Sequence, residues 1–396
     1  SYFIPDINPK DVKEIYAIRR PLEALSITLA VEYANAEEVV KISQIVEKSE
    51  QMTNESFNNA IIDLDTAFHD YIVKFSRNRL LRMILKKLNN LHILTRRKYY
   101  FSNLVNENVK DIFKEHKDMV SAIKNRNHEM AKQAMIDHLH LAESRTLKWL
   151  YTDILSKVKN DYSFNISENV KYSNLTNRVA KTIKKQILDI NFVPGERLII
   201  DKISEDLKVS RTPVREALRK LSSENLIVYD GTIYRVQDLS YKYVEEVFEI
   251  RRVLEAFAAE RAAQYMEEEQ ILRLRDIISE TKNATIDPSE AFSTYYDADV
   301  AFHELISVCA NNIQLEKILR MLREQSLFIF RWTFSKKMPD KIKGIVVNGH
   351  QAIWESLSQG DSEGASRKMM NHLYAGEKEA LERVADMCFE PARENA

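Results

Sequence analysis

The sequence predicts a mainly α-helical protein in which two similar helical domains flank a central segment of three helices and a small β-hairpin. Glycine occurs only 7 times in 396 residues, and none precedes Gly195. A long glycine-free stretch with apolar residues at helical spacing favours helices. A large internal repeat relates the two halves of the chain, and β-prone runs joined by Asp-Gly stand between the copies.

Composition narrows the class of protein. The net charge of −1 gives no overall attraction to nucleic acid, so any such contact must be local. Two cysteines, Cys309 and Cys388, exclude a disulfide framework and are typical of a reduced, cytoplasmic protein. We find no apolar run long enough to span a membrane, no secretory signal, and no glycine-rich nucleotide-binding loop.

The internal repeat is recognised by segments that keep an offset of 232 to 234 residues (246 minus 14, 299 minus 65). They are EIYAIRR at 14–20 and EVFEIRR at 246–252, DTAFH at 65–69 and DVAFH at 299–303, His116 and His350, and His138 and His372. We therefore expect one helical domain over residues 1–156 and a second over 239–396. The polar stretch 157–173 is interpreted as the linker out of the first copy.

The same register bears on the start of the chain. Residues 1–4 align with residues 233–236, which end the central hairpin. We hypothesise that the chain is a fragment or processed form of a longer protein with a further copy of the central domain upstream. Such a parent would be a covalent tandem with two copies of the central domain and two helical domains.

The central segment, residues 174–238, contains three apolar stripes at helical spacing. They are Leu175, Val179, Ile183 and Ile187, then Ile203 and Leu207, then Val214, Ala217, Leu218 and Leu221. Thr212 is predicted to cap the third helix, with Pro213 at its first position. Asp230-Gly231 joins residues 226–229 to 232–236 and predicts a hairpin with a type I′ turn.

Three helices followed by a hairpin is the order of a winged helix-turn-helix, whose third helix enters the major groove of DNA. The PGERL run at 194–198, the VSRTPVREAL run at 209–218 and the glycine-tipped wing resemble the GntR family of bacterial transcription regulators. The flanking repeats resemble FCD, the helical effector domain of its FadR subgroup.

The resemblance implies a tandem fusion that binds double-stranded operator DNA and responds to an effector, most commonly as a repressor. It places the DNA contacts at Arg197, Arg211 and Arg215, supported by Ser210 and Thr212, with Gly231 in the wing. Two features depart from the family. Asn225 stands where the family often has glycine, and the wing is short and lacks a second glycine.

A second constellation occurs once in each repeat and combines a carboxylate with three imidazoles. Its members are Asp65, His69, His116 and His138, then Asp299, His303, His350 and His372. The Asp and the first His are four residues apart on one helix, and the other two histidines lie on either side of a turn, at 125–127 or 359–361. Single helical histidines are more often surface or core residues, but this fixed register favours one divalent metal of the Zn, Ni or Mn type per helical domain. The FCD resemblance points to the same residues.

An open metal position beside cationic side chains suits a small carboxylate effector. The candidate arginines are Arg19 and Arg251 in the IRR runs, with Arg97 and Arg331 as further candidates. The alternative is an exposed arginine or, for the IRR pair, a salt bridge to Glu23 or Glu255. The two pockets need not bind the same effector.

Two functions other than transcription regulation are alternatives for this chain. A metal-dependent helical-bundle hydrolase is suggested by His69-Asp70, but the second copy has His303-Glu304, so that pair does not recur and an enzyme is not expected. A metal-sensing scaffold would use the winged helix to bind protein. Because family members read palindromic operators as dimers, we expect a pseudo-dimer within the chain, and a homodimer of whole chains in addition stays open.

Overall fold

The structure is a computed structural model that describes residues 8–50, 57–100, 109–157, 171–283, 291–334 and 340–389. The chain divides near residue 163 into two compact units. Fifteen helices and one small sheet are found in these ranges, which confirms the predicted mainly α architecture.

The first unit is a bundle of six helices. They are α1 (Pro9–Tyr33), α2 (Ala36–Glu50), α3 (Phe57–Phe75), α4 (Arg79–Tyr100), α5 (Val109–Lys124) and α6 (His128–Lys157). Helix α1 begins with reciprocal capping, because the Asn8 side chain accepts from the Asp11 amide at 2.9 Å and Asp11 accepts from the Asn8 amide at 3.2 Å. Its apolar residues pack with those of α3, α5 and α6 into a continuous core.

The second unit begins with the predicted winged helix. Its elements are α7 (Lys171–Leu188), β1 (Arg197–Leu198), α8 (Ile200–Asp206), α9 (Arg211–Ser223), β2 (Ile227–Tyr229) and β3 (Tyr234–Val236). The antiparallel sheet has the order β1-β3-β2. Strand β1 was not expected, since a strand of two residues carries no periodic signal.

Six further helices follow and repeat the arrangement of the first unit. They are α10 (Tyr241–Tyr265), α11 (Glu268–Asn283), α12 (Ala291–Cys309), α13 (Ile313–Thr333), α14 (Asp340–Ser358) and α15 (Ser362–Phe389). Some corresponding helices also have the same length in both copies: α1 and α10 each have 25 residues, and α3 and α12 each have 19.

Two local predictions in the winged helix were wrong. Helix α9 begins at Arg211 with Ser210 as its N-cap, so Thr212 and Pro213 lie inside the first turn. Proline fits anywhere in that turn because its first amides have no partner within the helix, and therefore it does not mark the start. The hairpin turn is not type I′, since Gly231 has φ +100° but Asp230 does not have a positive φ. Instead, Asp230 Oδ1 accepts from the amides of Thr232 at 2.8 Å and Ile233 at 2.9 Å, which closes a four-residue loop.

The structure explains why Asn225 tolerates a position that is often glycine in the family. Asn225 is buried and has φ +59°. After glycine, asparagine is among the residues that best accept this left-handed conformation. The helix-to-strand turn after α9 is therefore preserved.

The turns predicted between the last two helices of each domain are confirmed, at 125–127 and 359–361. The matching positions Arg126 and Gly360 both have positive φ, at +54° and +67°. In the first copy, the guanidinium of Arg126 donates to the backbone oxygens of Val31 and Ala34, which compensates for its strained backbone.

Gly360→Ala is expected to destabilise the second unit by about 1 kcal/mol, because alanine is strained at this φ. Space is not the obstacle, since an added Cβ would meet only Ala263 O, at 3.8 Å. Calorimetric unfolding of the full chain would measure the change. The matched control is Gly344→Ala within α14, where nothing lies within 4 Å. That change is expected to stabilise the same unit by about 0.5–1 kcal/mol, and two shifts of one sign would contradict the argument.

Some expectations concern residues that the structure does not describe. The proposed wing remnant at 1–4 and most of the linker, 158–170, lie outside the described residues. The predicted limits of the domains stay predictions. Within the described ranges, no helix combines the length and the apolar character needed to cross a bilayer.

Candidate metal centres and nucleic-acid interface

In the first unit, the predicted ligand residues converge from three helices. Asp65 and His69 lie on α3, His116 on α5 and His138 on α6, and all four are buried. The Nε2 atoms of His69 and His138 are 3.2 Å apart, and His116 Nε2 lies 3.5 Å from Asp65 Oδ1. One possible ligand atom from each residue falls within 4.8 Å of all the others.

The second unit repeats this centre. Asp299 and His303 lie on α12, His350 on α14 and His372 on α15. His303 Nε2 lies 3.3 Å from the Nε2 atoms of both His350 and His372, and Asp299 Oδ1 lies 3.4 Å from His350 Nε2. The four predicted ligands of each copy are therefore brought together.

These spacings fit a bound divalent ion. Ligands at the usual zinc–nitrogen distance of about 2.0–2.1 Å, arranged as a tetrahedron, lie about 3.3 Å from one another. The Nε2 of His303 cannot share one proton with two other imidazoles. A divalent cation among the three nitrogen atoms would account for their approach, and three nitrogen ligands with one carboxylate suit Zn, Ni or Mn.

The pKa values of the candidate ligands also favour metal binding. Burial holds the pKa of His138, His350 and His372 below the usual histidine value, so these rings keep a free lone pair. Burial alone would raise the pKa of Asp299, but the hydrogen bond from His350 and the nearby His303 hold it well below its ordinary value. The second centre thus offers neutral imidazoles at His350 and His372 and an ionised carboxylate at Asp299.

In each centre, a buried glutamate that is not one of the predicted ligands contacts the first histidine. Glu23 Oε2 lies 2.6 Å from His69 Nδ1, and Glu255 Oε2 lies 2.6 Å from His303 Nδ1. Burial opposes ionisation of Glu23, but Arg19 and His69 hold its pKa well below the usual range. Each carboxylate turns the Nε2 of its histidine towards the centre.

The structure places the two IRR arginines in ion pairs. Arg19 Nε lies 2.6 Å from Glu23 Oε1, and Arg251 Nε lies 2.7 Å from Glu255 Oε1. This is the salt bridge named above as the alternative to effector binding, and it orients the glutamate behind the metal ligand. The effector role of Arg19 and Arg251 stays a prediction.

The other candidate effector residues are placed differently. Arg331 on α13 donates to Leu188 O at 3.0 Å and pairs with Asp189 at 2.5 Å, so it contacts the end of α7. Arg97 belongs to α4, but its side chain lies outside the described residues.

An aromatic ring also supports each centre. Phe68 stacks on His116 and Phe302 stacks on His350, each with 3.9 Å between ring centroids. The signal was present in the sequence, since phenylalanine precedes the first histidine in both repeated DxAFH segments.

The winged helix presents its arginines on one concave face. Val214, Ala217, Leu218 and Leu221 are buried as predicted, which leaves the opposite side of α9 exposed. The face combines side chains from β1, α8, α9 and the wing. They include Arg197, Asp201, Arg211, Arg215, Arg219, Tyr229 and Thr232.

Charge on this face is only partly neutralised. Arg211 pairs with Asp201 at 2.6 Å, and Arg219 pairs with Glu216 at 2.9 Å. Arg197 and Arg215 are exposed and have no ion-pair partner within the described part of the chain. Arg219 was not among the predicted contacts, although its spacing of four residues from Arg215 places both on one side of α9.

The remaining predicted DNA contacts are also accessible. Ser210 and Thr212 are exposed at the start of α9, and the Ser210 side chain makes no capping hydrogen bond. Gly231 lies exposed at the tip of the wing, and an added Cβ would meet nothing within 4 Å.

Within the second unit, the winged helix is joined to the helical domain by polar contacts to α13. Lys184 on α7 pairs with Glu224 at 2.7 Å and with Glu324 on α13 at 2.8 Å. Gln325 donates to Glu224 O at 3.0 Å. Helix α13 therefore touches both α7 and the end of α9.

Comparison with known proteins agrees with this arrangement. The FCD domain family matches residues 14–141 and 246–375, and the family described as bacterial regulatory proteins, gntR family, matches residues 175–231. Both families named from the sequence are thus found, in the predicted order.

Relatives match between about a third and just over half of the chain. The Uxu operon regulator of Haemophilus influenzae is 26% identical over 238 residues, 55% of this chain and 87% of that protein. The gluconate operon transcriptional repressor of Bacillus licheniformis is 24% identical over 212 residues, 53% of this chain and 85% of that protein. The regulator YdhC of Bacillus subtilis is 33% identical over 145 residues, 35% of this chain and 62% of YdhC.

Solved structures are similar over a comparable share. Escherichia coli McbR/YncC is 21% identical and covers 52% of this chain and 97% of its own, with a TM-score of 0.46. A GntR regulator from Rhodococcus sp. RHA1 is 23% identical with the same coverage and a TM-score of 0.44.

Proposed function

Because the chain belongs to the gntR family of bacterial regulatory proteins and carries the FCD domain twice, we propose that it is a metabolite-responsive repressor. It is a DNA-binding transcription regulator rather than an enzyme. In our proposal it binds double-stranded operator DNA through α9 and the wing, and it senses a small carboxylate at metal centres in its helical domains.

The arginine face supports the proposed mode of DNA binding. Arg215 projects from the exposed side of α9, where the recognition helix of this fold faces base edges in the major groove. Arg197 on β1 flanks it and is free to contact a phosphate. A winged helix reads one half-site, so two copies of the chain would supply the two heads that a palindromic operator needs.

The ligand sets support the proposed effector chemistry. Asp299, His303, His350 and His372 would hold a divalent metal, which supplies an open coordination position for a carboxylate oxygen. The Asp299 side chain is 22% exposed, so this centre is reached from solvent. Glu255 and Arg251 hold the His303 ring in place while the ligand exchanges.

Two connections within the second unit support a switch. Helix α10, which carries Glu255, is separated from the end of strand β3 of the wing by only four residues. Helix α13 contacts α7 through Glu324 and Arg331. An effector that binds more tightly when these helices are in one position would shift the protein towards that position. The DNA affinity could then change by at most the ratio of the effector's affinities for the two positions.

The test combines selection of DNA with a ligand screen. The metal-loaded chain selects a duplex from a random library, and small mono- and dicarboxylates are screened by thermal shift. A carboxylate that stabilises the protein is expected to weaken binding of the selected duplex by about 5–150-fold, measured by fluorescence anisotropy.

The matched variants are His303→Ala and His350→Ala, which should keep DNA affinity but lose the response to carboxylate. Stabilisation by carboxylate that is unchanged in both variants would contradict sensing at this centre. Failure to select any duplex would instead favour a winged helix that binds protein.

A further inference from the structure

The two metal centres share their ligands but differ behind the third histidine. In the first unit, His138 Nδ1 lies 2.7 Å from Glu115 Oε2, and Arg145 Nη2 lies 2.6 Å from Glu115 Oε1. Glu115 is on α5 and Arg145 on α6, so this pair connects the two helices that carry His116 and His138.

The second unit lacks the residues that make these two contacts. In the register of the repeat, Glu115 corresponds to Gly349 and Arg145 to Glu379. Glu379 pairs with Lys341 at 2.6 Å instead. His372 Nδ1 is buried and has no hydrogen-bond partner among the described residues.

Packing prevents a simple restoration of the missing carboxylate. A Cβ at Gly349 would lie 2.3 Å from His372 Nδ1 and 3.0 Å from Cγ of the same ring. The ring occupies the space that the side chain takes in the first unit. A side chain at position 349 would therefore require the His372 ring to move.

A carboxylate behind a metal-binding histidine fixes the ring and makes it a better ligand, and its loss typically lowers metal affinity 10–100-fold. In the first centre two histidines, His69 and His138, have such a partner; in the second, among the residues that the structure describes, only His303 does. Solvent also reaches the second centre more easily than the first, because the Asp65 side chain is 4% exposed and that of Asp299 is 22% exposed.

From these differences we infer that the first centre holds its metal at least tenfold more tightly than the second, and that Glu115 is the residue that sets the difference. The inference rests on the proposed function, in which both centres bind metal. The first ion is then a lasting part of its bundle, whereas the second exchanges with the surroundings.

The experiment titrates the full chain, stripped by a chelator, with Zn²⁺ in competition with an indicator of known affinity. The wild-type chain should fill in two steps. His350→Ala should keep only the tight step, and His116→Ala only the weak one. Since these two variants report each centre separately, the comparison does not depend on how a Glu115 variant folds.

Glu115→Gln should weaken the tight step by about 10–100-fold and leave the weak step unchanged. Glu379→Gln, at the position that matches Arg145, is the control and should alter neither. Circular dichroism confirms that each variant is folded.

Two steps of equal affinity, or a tight step that Glu115→Gln leaves unchanged, would overturn this inference while the metal centres stand. A chain that takes up no Zn²⁺ at either centre would overturn the metal part of the proposed function as well.

Discussion

Replacing Glu255 by leucine is expected to destabilise the second unit by about 3–5 kcal/mol, because it leaves the Arg251 guanidinium buried without its counter-charge. Both side chains are at most 5% exposed, and their contact is 2.7 Å. The same change removes the partner of His303 Nδ1. Urea unfolding of the metal-free chain would measure the loss.

The double variant Arg251→Met/Glu255→Leu tests the cause. Since it removes both charges and fills the space with apolar side chains, it should recover much of the stability lost in the single variant. Glu316→Leu is a matched control at a pair of the same spacing whose partner, Arg320, is exposed, and it should cost no more than about 0.5 kcal/mol. A double variant as unstable as Glu255→Leu would show that packing, not the unpaired charge, is the cause.

Arg215→Ala is expected to weaken binding of a selected duplex by about 1–3 kcal/mol, roughly 5–150-fold, and to reduce discrimination against a scrambled duplex. Arg215 is exposed on α9 and has no ion-pair partner within the described residues, so its charge and hydrogen-bond donors are available to DNA. Anisotropy titrations with both duplexes at several salt concentrations would measure affinity and discrimination.

The control for Arg215→Ala is Arg273→Ala on α11, which removes an exposed arginine of the helical domain, paired with Glu280. It should change neither quantity beyond error. Equal losses in the two variants would mean that only general charge matters and that α9 does not read the sequence.

Periodic and repeated features were predictable from the sequence. The stripe Val214, Ala217, Leu218 and Leu221 is buried because its spacing matches the turn of a helix. The candidate metal ligands were identified because the same residue types recur in one register in both copies, which chance does not readily produce, and the structure brings them together.

Features that depend on a single contact were not predictable. Glu115 has no counterpart in the second copy, so the repeat that revealed the ligands could not reveal it. Strand β1 exists only because Arg197 and Leu198 pair with β3, and such pairing leaves no local pattern in two residues. Proline likewise fixed the first turn of α9 but not its first residue.

The connection between the wing and the second helical domain is short, and this has a mechanical consequence. Only residues 237–240 separate β3 from α10, and two of them, Gln237 and Leu239, are buried. Glu255 lies about 21 Å along α10 from its first residue, at about 1.5 Å of rise per residue. Because this connection is so short, α10 and the wing are expected to move together. In the proposed function, a tilt of α10 at Glu255 would be transmitted to the wing and would change where its tip meets the DNA.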